Sequence, residues 1–296
     1  MGDAWVATAD RGLWHSDVDE LAHWQRVPDL PANGGLYALV GPPTVAGGHG
    51  AIWVEVEGRW TRRPLPDRDV QVWALARDPH APATLYAGCR PLALFRSLDA
   101  GLTWESLPLT LPADTPRPHT PRVTSILVDG GTLRCGVEIG GVFVSEDGGK
   151  HWAPDNDGLP SLDIHALTRT PDGTVVAALP LGVAHREGGG WRSSAFALPW
   201  RYCRTLVQAD RQLLCGFGDG PPGGRGAVAI SEDNGRSWHS ALFPGMAGST
   251  VWSLAVAGNT ALAGAIGGEL FASDDAGRMW RRLAQALGEI RAVLVT

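Results

Sequence analysis

Ser145-Glu146-Asp147-Gly148-Gly149-Lys150-His151-Trp152 decides the fold, because its frame occurs four times. The pattern Ser-x-Asp-x-Gly-x-x-Trp returns at Ser97/Asp99/Gly101/Trp104, Ser231/Asp233/Gly235/Trp238 and Ser273/Asp275/Gly277/Trp280. Each residue type has a task at the end of a strand. The Asp carboxylate accepts hydrogen bonds from amides of its own turn, Gly supplies a positive φ, and Trp pins the next strand onto its neighbours. Looser versions end at Trp24, Trp60 and Trp191, so seven Trp mark the chain at intervals of 36 to 48 residues.

A period of about 40 residues with four short strands per repeat is the signature of a β-propeller. One repeat shows its strands plainly: an apolar run at 123–128, a Gly131-Thr132 turn, strands at 133–136 and 141–145, the Asp turn, and an outer strand opened by Trp152. The N-terminal repeat lacks an innermost strand, while a spare one stands at the C-terminus, 290–296. Pairing the two closes the ring and hides both sheet edges. The expected architecture is all-β: a seven-bladed propeller of four-stranded antiparallel blades in a single domain spanning 1–296. Its blades are expected at 290–296 with 4–27, then 36–64, 70–108, 122–155, 163–195, 201–243 and 250–284. Pro- and Gly-rich insertions at 107–121 and 218–226 read as surface loops.

The frame and its spacing resemble the Asp-box (BNR) repeat of sialidases, sortilin-type receptors, xyloglucan-active glycosidases and the photosystem II assembly and stability factor. The resemblance covers the whole chain as repeats. It implies a propeller with the Asp turns on its outer rim, away from the ligand site. A sialidase would also need an Arg-Ile-Pro segment near its start and six blades. The chain has no Arg-Ile-Pro and counts seven, so classical sialidase activity is not expected.

Composition narrows the function. The 296 residues are 44% hydrophobic and 19% charged, with a formal net charge of −6, which argues against a nucleic-acid partner. No apolar run reaches the ~20 residues of a membrane span. The start of the chain lacks the basic and apolar regions of a signal peptide, and the four Cys show no metal or disulfide spacing. The expectation is a cytoplasmic monomer with reduced core cysteines.

Chemistry should sit where the repeats differ. Equivalent positions on the inner strands read Tyr37, Trp73, Thr124, His165, Arg204, Trp252 and Arg291. An inert channel would present small aliphatic residues there; this set is aromatic and polar, as a ligand funnel would be. A second set, after the second strands, gives His49, Arg90 and Glu138 on consecutive blades, with Asp10 and Arg11 in the first. Arg90, Arg204 and Arg291 would anchor negative charge, and Trp73, Trp252 and Tyr37 would stack on a ring, with Asp10 and Arg11 as further contacts. In an enzyme, Glu138 and His165 would be the acid/base pair, with His49 nearby. Plainer roles stand beside these: interblade packing for the aromatics, an Arg90–Glu138 ion pair, a solvated His49. No organic cofactor or metal is expected, since no fingerprint or ligand spacing calls for one. The leading function is binding of a small polar or anionic molecule in the central funnel, with hydrolase, lyase or isomerase chemistry as its extension. Alternatives are a non-catalytic scaffold that holds a protein partner and a glycoside hydrolase-like protein.

Overall fold

The computed structural model describes residues 2–31, 35–113, 115, 118–283 and 287–296. Parts of the 107–121 insertion and the end of the expected seventh blade at 284 lie outside them. The described residues form seven sheets of four antiparallel strands arranged in a ring, with a single 3-10 turn at Val18–Glu20 as the only helical element. The innermost strands are, in blade order, Ile290–Val295, Leu36–Val40, Gln71–Arg77, Arg122–Asp129, Ala166–Arg169, Tyr202–Ala209 and Val251–Ala257. The first blade is built as expected from both ends: Ile290–Val295 pairs with Asp3–Thr8. The Asp10 carboxylate adds a fastener, accepting from the Glu289 amide at 2.7 Å. The sixth blade gains a fifth strand, Ala195–Phe196, which runs parallel to its outer strand, Ser237–Ser240. That strand covers the edge because the crossover from the fifth blade passes along it, with the Ala195 amide donating to the Arg236 carbonyl at 2.8 Å.

The four Ser-x-Asp-x-Gly-x-x-Trp turns share one geometry. Each Ser Oγ accepts from the Gly amide four residues on, at 2.8–2.9 Å. Each Asp Oδ1 accepts from the amide four residues on, at 2.8–3.0 Å. Each Trp Nε1 donates to the Gly carbonyl three residues back. The turn glycines hold φ between +83° and +95°. They also face the preceding blade. A Cβ on Gly277 would lie 2.4 Å from Leu214, and one on Gly149 would lie 2.8 Å from Leu107.

Blades also touch closely near the axis, in five of them at a second glycine. On the second strands, Gly47, Gly88, Gly136, Gly216 and Gly264 receive a β-branched residue of the next inner strand or, for Ile164, of the segment that leads into it. A Cβ there would come within 2.5–2.8 Å of Val72, Val123, Ile164, Val251 and Ile290 respectively. The next inner-strand residue is then a bulge. Register shifts leave Tyr37, Trp73, Thr124, Arg204, Trp252 and Arg291 without partners on the second strand. In the fifth blade the His165 amide donates to Ala178, which also pairs with Ala166. A bulge re-aims one side chain out of the sheet. Here it turns one residue per blade toward the axis.

Two outcomes are expected. Gly88→Ala forces a methyl against Val123 and should cost about 1–3 kcal/mol in urea unfolding. In the turns, hydrogen bonds from the Thr103 hydroxyl and amide hold Asp99 down to about 2, from an ordinary 3.8. Hydrogen bonds from the backbone and side chain of His151 act on Asp147 in the same direction. A depressed folded-state pKa contributes stability above the unfolded value that is lost on acidification. The urea midpoint should therefore fall as pH drops from about 4 to about 2, and less so in an Asp99→Asn variant.

Candidate functional site

The seven bulge residues meet in one central cavity of about 230 Å3. Tyr37, Trp73, Thr124, His165, Arg204, Trp252 and Arg291 all line it. Three guanidinium groups alternate with two indoles across the channel mouth. Arg122 Cζ lies 4.0 Å from the Trp73 ring centroid. Arg291 Cζ lies 5.4 Å from Trp73 and 5.1 Å from Trp252, and Arg204 Cζ lies 4.1 Å from Trp252. Tyr37 stacks on Trp73 at 5.2 Å with an interplanar angle of 15°. Cation–π contacts of this kind contribute ~0.5–2 kcal/mol each and fix the planes of both partners.

The arginines differ in their counter-charges. Arg122 is clamped to Glu138, its Nε donating to Oε2 at 2.7 Å and its Nη2 to Oε1 at 2.6 Å. The two residues are direct register partners on the inner and second strands of the fourth blade. Arg291 donates to Glu289, two residues before it on its own chain segment. Arg204 has no carboxylate within 4.0 Å among the described residues. Its Nη1 donates to the His165 carbonyl at 3.3 Å, and its buried Nε has no acceptor. Burial pushes the Arg204 guanidinium down to about 10, and the positive charges of Arg122 and Arg291 act in the same direction, partly countered by Tyr202 and Glu138. It remains a cation at neutral pH.

His165 is nearly sealed from solvent. Its Nδ1 lies 2.6 Å from the Cys203 carbonyl, which can only accept, so Nδ1 carries the proton. Its Nε2 faces Asp163 Oδ1 at 3.6 Å. Tyr202 leans on the imidazole, with ring centroids 4.8 Å apart. Burial works against the Asp163 carboxylate, but His165, with Arg204 and His119, outweighs it and holds the pKa below the usual range.

Other residues of the sequence reading lie elsewhere. His49 is exposed, in an isolated bridge to Gln71. Arg90 is half-buried and makes no ion pair among the described residues; the Arg90–Glu138 pairing considered from the sequence is replaced by Arg122–Glu138, because a cross-strand partner in the same blade lies nearer than one on the next. Asp10 and Arg11 are exposed beside the ring closure. Among the described residues, no group of three His, Cys, Asp or Glu side chains converges as a metal site would require. No helix is long and apolar enough to cross a membrane.

Four residues of the mouth were missed: Arg122, Asp163, Tyr202 and Glu289. Each stands two residues before a member of the central ring, on its own side of the extended chain. The two-residue step of a strand, carried one position toward the N-terminus, would have found them.

No family model and no curated protein matches the chain. Solved structures do match in fold. A structure of YCF48 bound to D1 peptide is 18% identical over 85% of this chain and 83% of that one, with a TM-score of 0.60. YCF48 from Cyanidioschyzon merolae is 17% identical over 88% of each chain, with a TM-score of 0.63. The GH74 enzyme of Niastella koreensis is 17% identical over 84% of this chain and 45% of that one, with a TM-score of 0.63. At such identities the likeness is one of propeller architecture.

Removing Arg122 would strand the buried Glu138 carboxylate. Arg122→Leu should lose about 3–5 kcal/mol in urea unfolding, and the double variant R122L/E138L should recover most of it.

Proposed function

We propose that the chain is a binding protein whose central channel takes a small anionic molecule. The observation that carries this reading is Arg204: a buried guanidinium, positive at neutral pH, with an unpaired Nε and no carboxylate in contact among the described residues. A buried charge left in this state is costly unless something completes its shell. The neighbouring Arg291 also leaves a buried Nε unpaired, and Trp252 and Trp73 hold the guanidinium planes. An anion entering between Arg204 and Arg291 supplies the missing acceptors. Binding is favoured over proton transfer because the proposed acid/base residues are engaged: Glu138 by both donors of Arg122, and His165 Nδ1 by a backbone carbonyl.

A second reading, a scaffold for an extended peptide, draws on a groove beside the mouth. Pro91, Leu92, Leu109, Leu111 and Pro121 line about 700 Å3 there. The fold neighbour YCF48 was solved with a peptide. The two readings place binding on different residues, the groove leucines or Arg204.

Thermal unfolding in increasing phosphate, sulfate and short carboxylates tests the first. The wild-type Tm should rise with at least one of them and saturate. Arg204→Met should abolish the rise while being at least as stable as wild type without added anion. An equal rise in both proteins would exclude the Arg204 site.

A further inference from the structure

The mouth is a ladder of alternating charge and ring. Arg122, Trp73, Arg291, Trp252 and Arg204 follow one another, each guanidinium carbon within 5.4 Å of a neighbouring indole centroid. Tyr37 is stacked on Trp73 at 5.2 Å. Trp73 thus carries guanidinium groups and a phenol ring, and Trp252 carries two guanidinium groups. The aromatic surface that a flat ligand would need is already taken by the chain's own groups. What stays free is on the arginines. Nε of Arg204 and Nε of Arg291 are buried without an acceptor, and both groups lie against the same indole, Trp252. Charge is matched almost one for one. Arg122 has Glu138, which exposed His119 also approaches at 3.7 Å. Arg291 has Glu289, and His165 has Asp163. Of the three guanidinium groups, Arg204 is left with a backbone carbonyl and no carboxylate in contact among the described residues.

Resting on the anion-binding reading, we infer that the channel selects a compact monovalent oxyanion, a small carboxylate or nitrate, on the free Nε–H groups of Arg204 and Arg291, and rejects dianions and aromatic acids. One unmatched positive charge is neutralised by one negative charge. A second negative charge would enter a buried site with no cation left to meet it, and burying an unpaired charge is costly. Shape acts in the same direction. A planar oxyanion presents two oxygens in the plane of a guanidinium fork. A benzoate ring would have to displace Tyr37 or an arginine from an indole. The cavity of about 230 Å3, bordered by all seven inner strands, is smaller than the ~300 Å3 at which pockets for larger organic ligands begin.

Calorimetric titration of the full chain with acetate, nitrate, sulfate, malonate and benzoate, at pH 7 and constant ionic strength, reads charge and shape separately. Acetate or nitrate should bind at least about tenfold tighter than sulfate, malonate and benzoate. Glu289→Gln supplies the reverse test. The Glu289 side chain is half-exposed, and its amide keeps the bond to Asp10, so the change frees Arg291 without opening the core or the ring closure. The variant carries two unmatched positive charges, and its affinity for sulfate relative to acetate should rise at least about tenfold over wild type. Sulfate, malonate or benzoate binding wild type as tightly as acetate and nitrate would overturn the selectivity and leave the Arg204 site standing. So would an unchanged sulfate-to-acetate ratio in Glu289→Gln. Failure of all five, and of inorganic phosphate, to bind would overturn the anion-binding reading as well.

Discussion

Closing seven sheets into a ring requires adjacent blades to approach within side-chain contact near the axis, where there is least room. The glycines at 47, 88, 136, 216 and 264 make that approach possible. Each leaves a space the size of a methyl group, and the β-branched residue of the next inner strand fills it. These seats set the approach of five of the seven neighbouring pairs of blades. The bulge follows from them. Once Val72, Val123, Ile164, Val251 or Ile290 is locked into the preceding blade, the following residue has no partner on the second strand and turns inward. In five blades the interblade contact therefore also delivers a side chain to the channel; Tyr37 and Arg204, which follow Leu36 and Cys203, reach it by the register shift alone.

This coupling explains why the architecture was legible in the sequence and the site only partly so. Blade number came from Trp spacing, because the turn that precedes each Trp needs Ser, Asp and Gly in fixed places for its hydrogen bonds. Ring closure came from a strand missing at one end and spare at the other. The central ring could be read from Tyr37 to Arg291 because each member holds one position of the repeat, two residues before the equivalent of Leu254. The partners of those residues could not. Nothing in the sequence says that Glu138 is clamped by Arg122, or that His165 points at the Cys203 carbonyl, since both depend on where a bulge places the strand laterally. His49 and Arg90 stand at equivalent repeat positions yet do not line the cavity, because they lie at or just beyond the ends of the second strands, where the bulge that turns a side chain inward does not act.

Charge in the mouth is balanced unevenly by design of the strands. Arg122 meets Glu138 across a strand pair, and Arg291 meets Glu289 along a strand, so two guanidinium groups are neutralised locally. Arg204 is offered an aromatic face and a carbonyl instead. Cation–π contact orients a guanidinium without neutralising it. The indoles thus keep a positive group in place for an incoming partner, whereas a carboxylate in the same position would have occupied it.

The first blade takes its innermost strand from residues 290–295 and the rest from the start of the chain. Synthesis on a ribosome proceeds from the other direction. Six blades can be assembled while the first still lacks its axial strand, and the inner edge of Asp3–Thr8 waits, unpaired, while all of their strands are made. Residues 290–295, made after the strands of the other six blades, are those that seal it. The nascent protein must therefore keep Asp3–Thr8 soluble until Ile290–Val295 arrives, a demand on timing that a propeller with each blade drawn from contiguous sequence would not face.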